Sequence, residues 1–442
     1  MSLRTSRGPG VSGMSLLLCL IVFGSLAARA TAVPARTHSS RKASSFTLRW
    51  GNTARRGPYP VAQGIRSVQV DGPDGHTPSL DDLESLQYHH HTRVAIAGNG
   101  RIWVAYSGAM RREGESGMIT EVKSSRDGLH WSAPTVVVAP PSPFDGKLNA
   151  GRRISYPRAL VRWHHRLYLV AAIDQANGYG CCTNEQGEAL VAARLYASGR
   201  VGTPFRVSRA PYLPLRGSPG YRYHRLAGPA LFEAADSFGT WGGSAPGQPP
   251  SAWTGYGIAA DGTTMVEPNA IRLSRHPDLL FRLWRDEGRD ASDPARSGEY
   301  RLYRSVSRDE GRSWSPAIPT DIPNSPSETT LLRLHDGQIA VIGNALDRPE
   351  AADARDPLYL ALFDGATGKL RSVHAVRQNL GSVPFADGNV CGPQGKPCGA
   401  SYPGAAEYHG HIYVSYSIDK QQIWLSIVPE SALGHEGTGE RR

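Results

Sequence analysis

The chain has 442 residues and a formal net charge of +10, with 49 glycines and 33 prolines. That load of turn residues argues against a helical bundle, and the aromatic and β-branched residues fall in short runs, the pattern of a many-stranded β protein. Beyond the N-terminal region no segment approaches the roughly 18 to 20 apolar residues that a membrane-spanning helix needs, so stable membrane insertion is not expected.

At the N-terminus, Arg4 and Arg7 precede an apolar stretch from Met14 to Leu26, which is followed by the small residues Ala28, Ala30 and Ala32. This is the arrangement of a secretory signal, read here over residues 1–32, and it predicts a secreted or periplasmic protein. Residues 33–45 are rich in Ser, Thr and Arg without periodicity and read as a disordered spacer. Loss of Arg4, Arg7 and Arg29 with the signal leaves a net charge of about +7, a basic surface that suits an acidic glycan or polysaccharide. No recognition-helix or RNA-binding signature accompanies that charge, so nucleic acid is not the expected partner. A monomer is expected.

Cys19 lies in the signal, which leaves Cys181, Cys182, Cys391 and Cys398. An even number of cysteines in an oxidising compartment favours disulfides. Cys391 and Cys398 bracket a turn-rich stretch and could close a small loop, or Cys181 and Cys182 could each reach one of them. No histidine follows at zinc-finger spacing, and neither a metal nor another cofactor is expected.

From Phe46 to residue 430 the chain repeats one pattern: a polar start, a short apolar strand, a turn and a second apolar strand. In order, the copies are His90–Ile96 with Ile102–Tyr106, Ser155–Val161 with Leu167–Val170, Glu267–Ile271 with Leu279–Leu283, Ser327–Leu332 with Ile339–Ile342, and Ser401–Ala405 with Ile412–Tyr416. A weaker sixth copy starts near Arg225, before a Gly- and Pro-rich stretch. The expectation is an all-β, six-bladed β-propeller, with a seventh blade left open, closed by a strand from the segment 46–70 and followed by a disordered tail over 431–442. Closing a ring removes exposed sheet edges.

Ser307-Arg308-Asp309-Glu310-Gly311-Arg312-Ser313-Trp314 fits an Asp box, and Ser125-Arg126-Asp127-Gly128-Leu129-His130-Trp131 is a version one residue shorter. Asp127 and Asp309 supply oxygens for backbone N–H groups in a tight turn, Gly311 permits positive φ, and Trp131 and Trp314 bury a ring. With the repeat, these turns make residues 88–428 resemble the sialidase superfamily, in particular its bacterial exo-α-sialidase-like, BNR-repeat branch. The resemblance implies a glycoside hydrolase with a tyrosine nucleophile, a glutamate that activates it, an aspartate acid/base and three arginines on a substrate carboxylate.

Carried onto matching positions, the resemblance places Tyr402 as nucleophile, Glu267 as its activating base, and Arg285 and Arg355 as carboxylate ligands. A phenol with a pKa of about 10 needs such a base, and a planar guanidinium suits a carboxylate. The first repeat departs from the family: His91 stands where an arginine is usual, Arg93 follows two residues on, and the nearest acids to the usual acid/base segment are Glu113 and Glu115.

If the residues that start each first strand line a central pocket, His90 or His91 shares it with Tyr156, Arg158, Glu267, Glu328 and Tyr402. Histidine and tyrosine beside an arginine can move a proton next to a uronate carboxylate. Three functions therefore stand at this stage: a hydrolase acting on an acidic glycan, a lyase or rhamnosidase-like enzyme acting on uronate-containing polysaccharide through a pocket histidine, and a non-catalytic glycan-binding propeller. A metal held by the neighbouring histidines is a further use of the run Tyr88-His89-His90-His91.

Overall fold

The computed structural model describes residues 46–53, 57–73, 81–139, 153–163, 165–175, 189–207, 256–259, 261–273, 279–288, 300–308, 314–325, 327–345, 355–380 and 399–434. All of them lie in the second of two compact units, Phe46–Arg442, the first being Met1–Ser45.

The strands follow the sequence repeat. A lone strand, β1 (Arg66–Asp71), comes first. The first sheet is β2 (Tyr88–Ile96), β3 (Ile102–Ala109), β4 (Ile119–Ser125) and β5 (Thr135–Val138). The second is β6 (Arg153–Trp163), β7 (Arg166–Gln175), β8 (Ala189–Leu195) and β9 (Phe205–Val207). The third holds β10 (Tyr256–Ile258), β11 (Thr264–Arg272), β12 (Leu280–Gly288), β13 (Arg301–Ser307) and β14 (Ile318–Pro323). The fourth is β15 (Thr330–Arg333), β16 (Ile339–Asn344), β17 (Leu358–Phe363) and β18 (Leu370–Arg377). The last is β19 (Ala400–Tyr408), β20 (His411–Ile418) and β21 (Gln422–Pro429), and β1 pairs antiparallel with β21 to complete it.

Each sequence copy is thus a pair of adjacent strands in an antiparallel sheet, the first two in every sheet but the third, where β10 precedes the pair, and the expected N-terminal strand does close the last one. The expectation of six blades is corrected to five sheets among the described residues. The weak sixth copy near Arg225 lies outside those residues. The short strand after it, β10, pairs with β11 and adds a fifth strand to the third sheet. Packing also runs past the expected end of the fold at 430, since Leu433 is buried and its carbonyl accepts from Ser372 Oγ at 2.9 Å.

Apolar clusters bridge neighbouring sheets, as blade-on-blade packing requires. One joins Val94, Ile96, Ile102 and Val104 of the first sheet to Ile423, Leu425 and Ile427 of the last. Another joins Tyr156, Ala159 and Val170 of the second sheet to Ala270 and Leu280 of the third. The inner strands approach so closely that a Cβ on Gly404 of β19 would lie 2.8 Å from Arg93 Cα of β2. Polar links tie the same strands: Thr92 Oγ1 donates to the Tyr402 carbonyl at 2.8 Å, and Leu331 N donates to Asn269 Oδ1 at 3.0 Å.

The described Asp box occupies the β4–β5 turn, as its chemistry demands. Asp127 Oδ1 accepts from Leu129 N at 2.8 Å and His130 N at 2.9 Å, and Gly128 takes φ 76°. The side-chain bond from His130, with these backbone bonds, holds the Asp127 carboxyl well below its usual range. Trp131 packs against the cluster shared with the last sheet. In the second box, Trp314 packs against the cluster shared with the second sheet, under the Arg282 guanidinium at 3.8 Å; Asp309 and Gly311 lie outside the described residues.

Candidate active site at the mouths of the inner strands

The repeat aligns five inner-strand residues: His91, Tyr156, Glu267, Glu328 and Tyr402. Three share an unusual backbone, with φ of 55° at His91, 50° at Glu267 and 54° at Tyr402. At each of the three the strand pairing slips, between His90 and Arg93, Val266 and Asn269, and Ser401 and Gly404. A bulge of this kind re-aims a side chain, and left-handed backbone on non-glycine residues is strain that clusters at functional sites.

Tyr402 Oη donates to Glu267 Oε1 and accepts from Arg285 Nη1 at 2.8 Å, and the same Nη1 donates to Glu267 Oε2 at 2.6 Å. Sheets far apart in sequence thus meet in a closed phenol–carboxylate–guanidinium triangle. Tyr402 and Arg285 are buried, while the Glu267 side chain is 22% exposed, so the triangle meets solvent at its carboxylate. Burial and the Glu267 charge push the Tyr402 phenol well above its ordinary value, against the pull of Arg285 and Arg355.

Arg355 is buried with its guanidinium 5.5 Å from the Tyr402 ring centre. Asn344 Nδ2 donates to its carbonyl at 2.8 Å, and Gly399, at φ 110°, lies so near that a Cβ there would sit 2.7 Å from that oxygen. Only glycine fits this approach without displacement. Desolvation lowers the Arg355 pKa.

Two histidines pack against the Tyr402 ring. His90 is fully buried, its Nδ1 2.6 Å from Ser417 Oγ and its ring 4.2 Å from that of Tyr402. The ring of His91 stands 5.3 Å from Tyr402 and 5.5 Å from Tyr156, its Nδ1 2.8 Å from Ser107 Oγ and its Nε2 3.6 Å from Glu113 Oε1. Lys420 Nζ bonds Glu113 Oε2, and both side chains are buried. Burial lowers both histidines, His90 strongly, while Glu113 pulls His91 back upward. His89 turns away, toward the Gln421 carbonyl at 3.0 Å and Asp71 at 3.9 Å. The three neighbouring rings therefore address different partners and do not converge as metal ligands. Among the described residues the group able to hold a metal is instead His335, Glu407 and Glu430, with His335 exposed.

Other candidates engage one another. Arg93 Nη2 donates to Glu328 Oε1 at 2.8 Å and Oε2 at 3.1 Å, its Nε to the Arg158 carbonyl at 2.9 Å and its Nη1 to the Thr92 carbonyl at 2.7 Å. With every guanidinium nitrogen bonded to protein, Arg93 organises the inner strands around a buried carboxylate. Arg158 Nη2 donates to Tyr156 Oη at 2.7 Å, and its guanidinium lies 4.5 Å over that ring. The contact of Glu113 with His91, and the presence of Lys420, had no sequence signal: the pair is separated by 307 residues and forms only when the first and last sheets meet. The four cysteines lie outside the described residues.

Residues 258–418 match the BNR repeat-like domain family. Among solved structures, a sialidase superposes with a TM-score of 0.59 at 18% identity, over 87% of this chain and 35% of its own. A Trypanosoma rangeli sialidase in complex with sialic acid gives a TM-score of 0.45 at 13% identity, over 84% of this chain and 60% of its own. The chain thus spans about a third of the length of the first of these structures. No curated protein sequence matches it.

The chain thus carries a BNR repeat-like domain over residues 258–418 and shares the β-propeller fold of the sialidase structure on which it superposes.

Proposed function

We propose that this protein is an exported, monomeric glycoside hydrolase of sialidase type that removes a terminal acidic sugar, a sialic acid or a uronate, from a glycan. The observation that carries this reading is the triangle of Tyr402, Glu267 and Arg285. The Tyr402 oxygen attacks the anomeric carbon as Glu267 takes its proton, which a buried phenol of raised pKa does not release unaided. Arg285, bonded to both groups, stabilises the negative charge that builds on the phenol oxygen as its proton passes to Glu267. Arg355, with Arg285, faces the sugar carboxylate. Water then displaces Tyr402, and the two displacements together retain the anomeric configuration.

The test is release of sugar from sialylated and uronate-terminated glycans, with the anomer of the first product followed by NMR and unsaturated uronate followed by absorbance. Free sugar of retained configuration supports the proposal. An unsaturated product would move the chemistry to a lyase centred on the histidines, and binding without any product would leave a glycan-binding propeller.

A further inference from the structure

Left-handed backbone and a slipped register mark His91 together with Glu267 and Tyr402, yet the hydrolytic scheme uses only the last two. That scheme still needs a group that gives a proton to the leaving oxygen and later takes one from water. We propose that His91 is this acid/base, with Glu113 as the positioning residue that fixes its ring and Lys420 as the anchor of Glu113, a role that rests on the hydrolase reading above.

The geometry supports imidazole over carboxylate. Glu113 Oε2 is bonded to the Lys420 ammonium and both groups are buried, so protonating Glu113 would strand a buried positive charge. Protonating His91 instead places the positive charge beside Glu113, which together with Glu267 offsets part of the cost of burial. The His91 Nδ1 lies 2.8 Å from Ser107 Oγ and its Nε2 3.6 Å from Glu113 Oε1, and its ring stands edge to face with that of Tyr402. In the first step the bond from Tyr402 oxygen to the anomeric carbon forms and the bond to the leaving oxygen breaks. Glu267 accepts the phenol proton while imidazolium gives its proton to the leaving group. In the second, water bonds to the carbon, its proton returns to His91, the bond to Tyr402 breaks and Glu267 returns the proton to the phenol.

The groups that face His91 set its pH response: Glu113 from the β3–β4 loop, Lys420 from the β20–β21 turn, Glu267 from β11, Tyr402 from β19, Tyr156 from β6 and His90 on its own strand. Burial lowers the imidazole and Lys420 lowers it further, whereas Glu113 and Glu267 raise it. The protonated acid is therefore lost as pH rises through a value below the ordinary 6.5, and turnover of a glycan falls along that limb.

The variant of choice is His91→Asn, because asparagine tolerates the left-handed backbone that His91 holds. Sialyl and glucuronyl glycosides with an aryl leaving group, which departs without a proton, are compared with glycans carrying the same sugar. The expected result is a loss of about 10² to 10⁴-fold on the glycan, a loss of less than about 10-fold on the aryl glycoside, an unchanged melting temperature and disappearance of the alkaline limb. Glu113→Gln is expected to keep that limb but move it to lower pH. Equal losses on both substrate classes would overturn the proposal, as would a leaving-group effect confined to Glu113→Gln, which would make the carboxyl the acid. Failure of the wild type to cleave either class removes the hydrolase reading and this role with it, an outcome distinct from active wild type with equal losses.

Discussion

The two ends of the repeat handle the same geometric demand in opposite ways. At the outer turns, positive φ falls mostly to glycine, as at Gly128 in the Asp box and Gly100 between β2 and β3, and where it falls to His165 and His409 their side chains are exposed to solvent. At the mouths of the inner strands, positive φ falls to His91, Glu267 and Tyr402, all with side chains in the proposed site and all beside buried charge. Glycine adopts this conformation without steric cost, whereas the others hold it only where surrounding structure enforces it. The contrast separates what builds a blade from what equips it.

Variants at the two ends should therefore separate activity from stability. Tyr402→Phe keeps the ring against His90 and Arg355 but removes the proposed nucleophile, and a fall in kcat on the order of 10⁴-fold with an unchanged melting temperature is expected. An active variant with unchanged kcat would erase the functional side of the comparison. Arg355→Ala should act more modestly, raising KM for an acidic sugar by about 10- to 100-fold, the scale of a lost charge-assisted hydrogen bond. The same substitution should hardly change binding of an uncharged sugar, and isothermal titration with a matched pair of ligands checks this.

A third variant tests a buried carboxyl of the first sheet. Glu121 is fully buried, neither carboxylate oxygen has a partner among the described residues, and burial, with the nearby Asp71, raises its pKa well above the ordinary 4.5. A carboxyl that binds its proton more tightly folded than unfolded stabilises the fold at low pH, and that contribution is lost as pH rises from the ordinary range through the folded value. Glu121→Gln is expected to flatten the decline in melting temperature over that window, and parallel curves for variant and wild type would contradict it. The smallest effect belongs to the outer turn. Asp127→Ala removes acceptors from an exposed turn and should lower the melting temperature slightly while leaving kcat/KM unchanged, as measured by thermal melts and turnover on one preparation.

Much of the architecture was legible because strands alternate with turns at short range. The five two-strand copies were visible as apolar runs with a polar start, and each proved to be a pair of adjacent strands in one sheet. The weak sixth copy expected near Arg225 lies outside the described residues, and the short strand that follows joins the third sheet. In the site, Tyr402 and Glu267 could be singled out because they stand at equivalent positions of a repeat as well as by the family resemblance, whereas Arg285 and Arg355 were reached through that resemblance alone. The same logic gathered Arg93, Arg158 and Glu328, but side-chain pairing engaged them with each other and with backbone carbonyls, a competition that spacing does not reveal.

By itself, then, the sequence determined the β repeat, the Asp-box turns and the residues that stand at each inner-strand mouth, because these depend on local alternation, turn chemistry and periodicity. Tertiary structure alone decided which of those mouths carry left-handed backbone, that Tyr402, Glu267 and Arg285 close a triangle, and that Lys420 reaches Glu113 beside His91. Such contacts join groups from opposite ends of the chain, and their energetics depend on the burial that only closure of the sheets around a common centre creates.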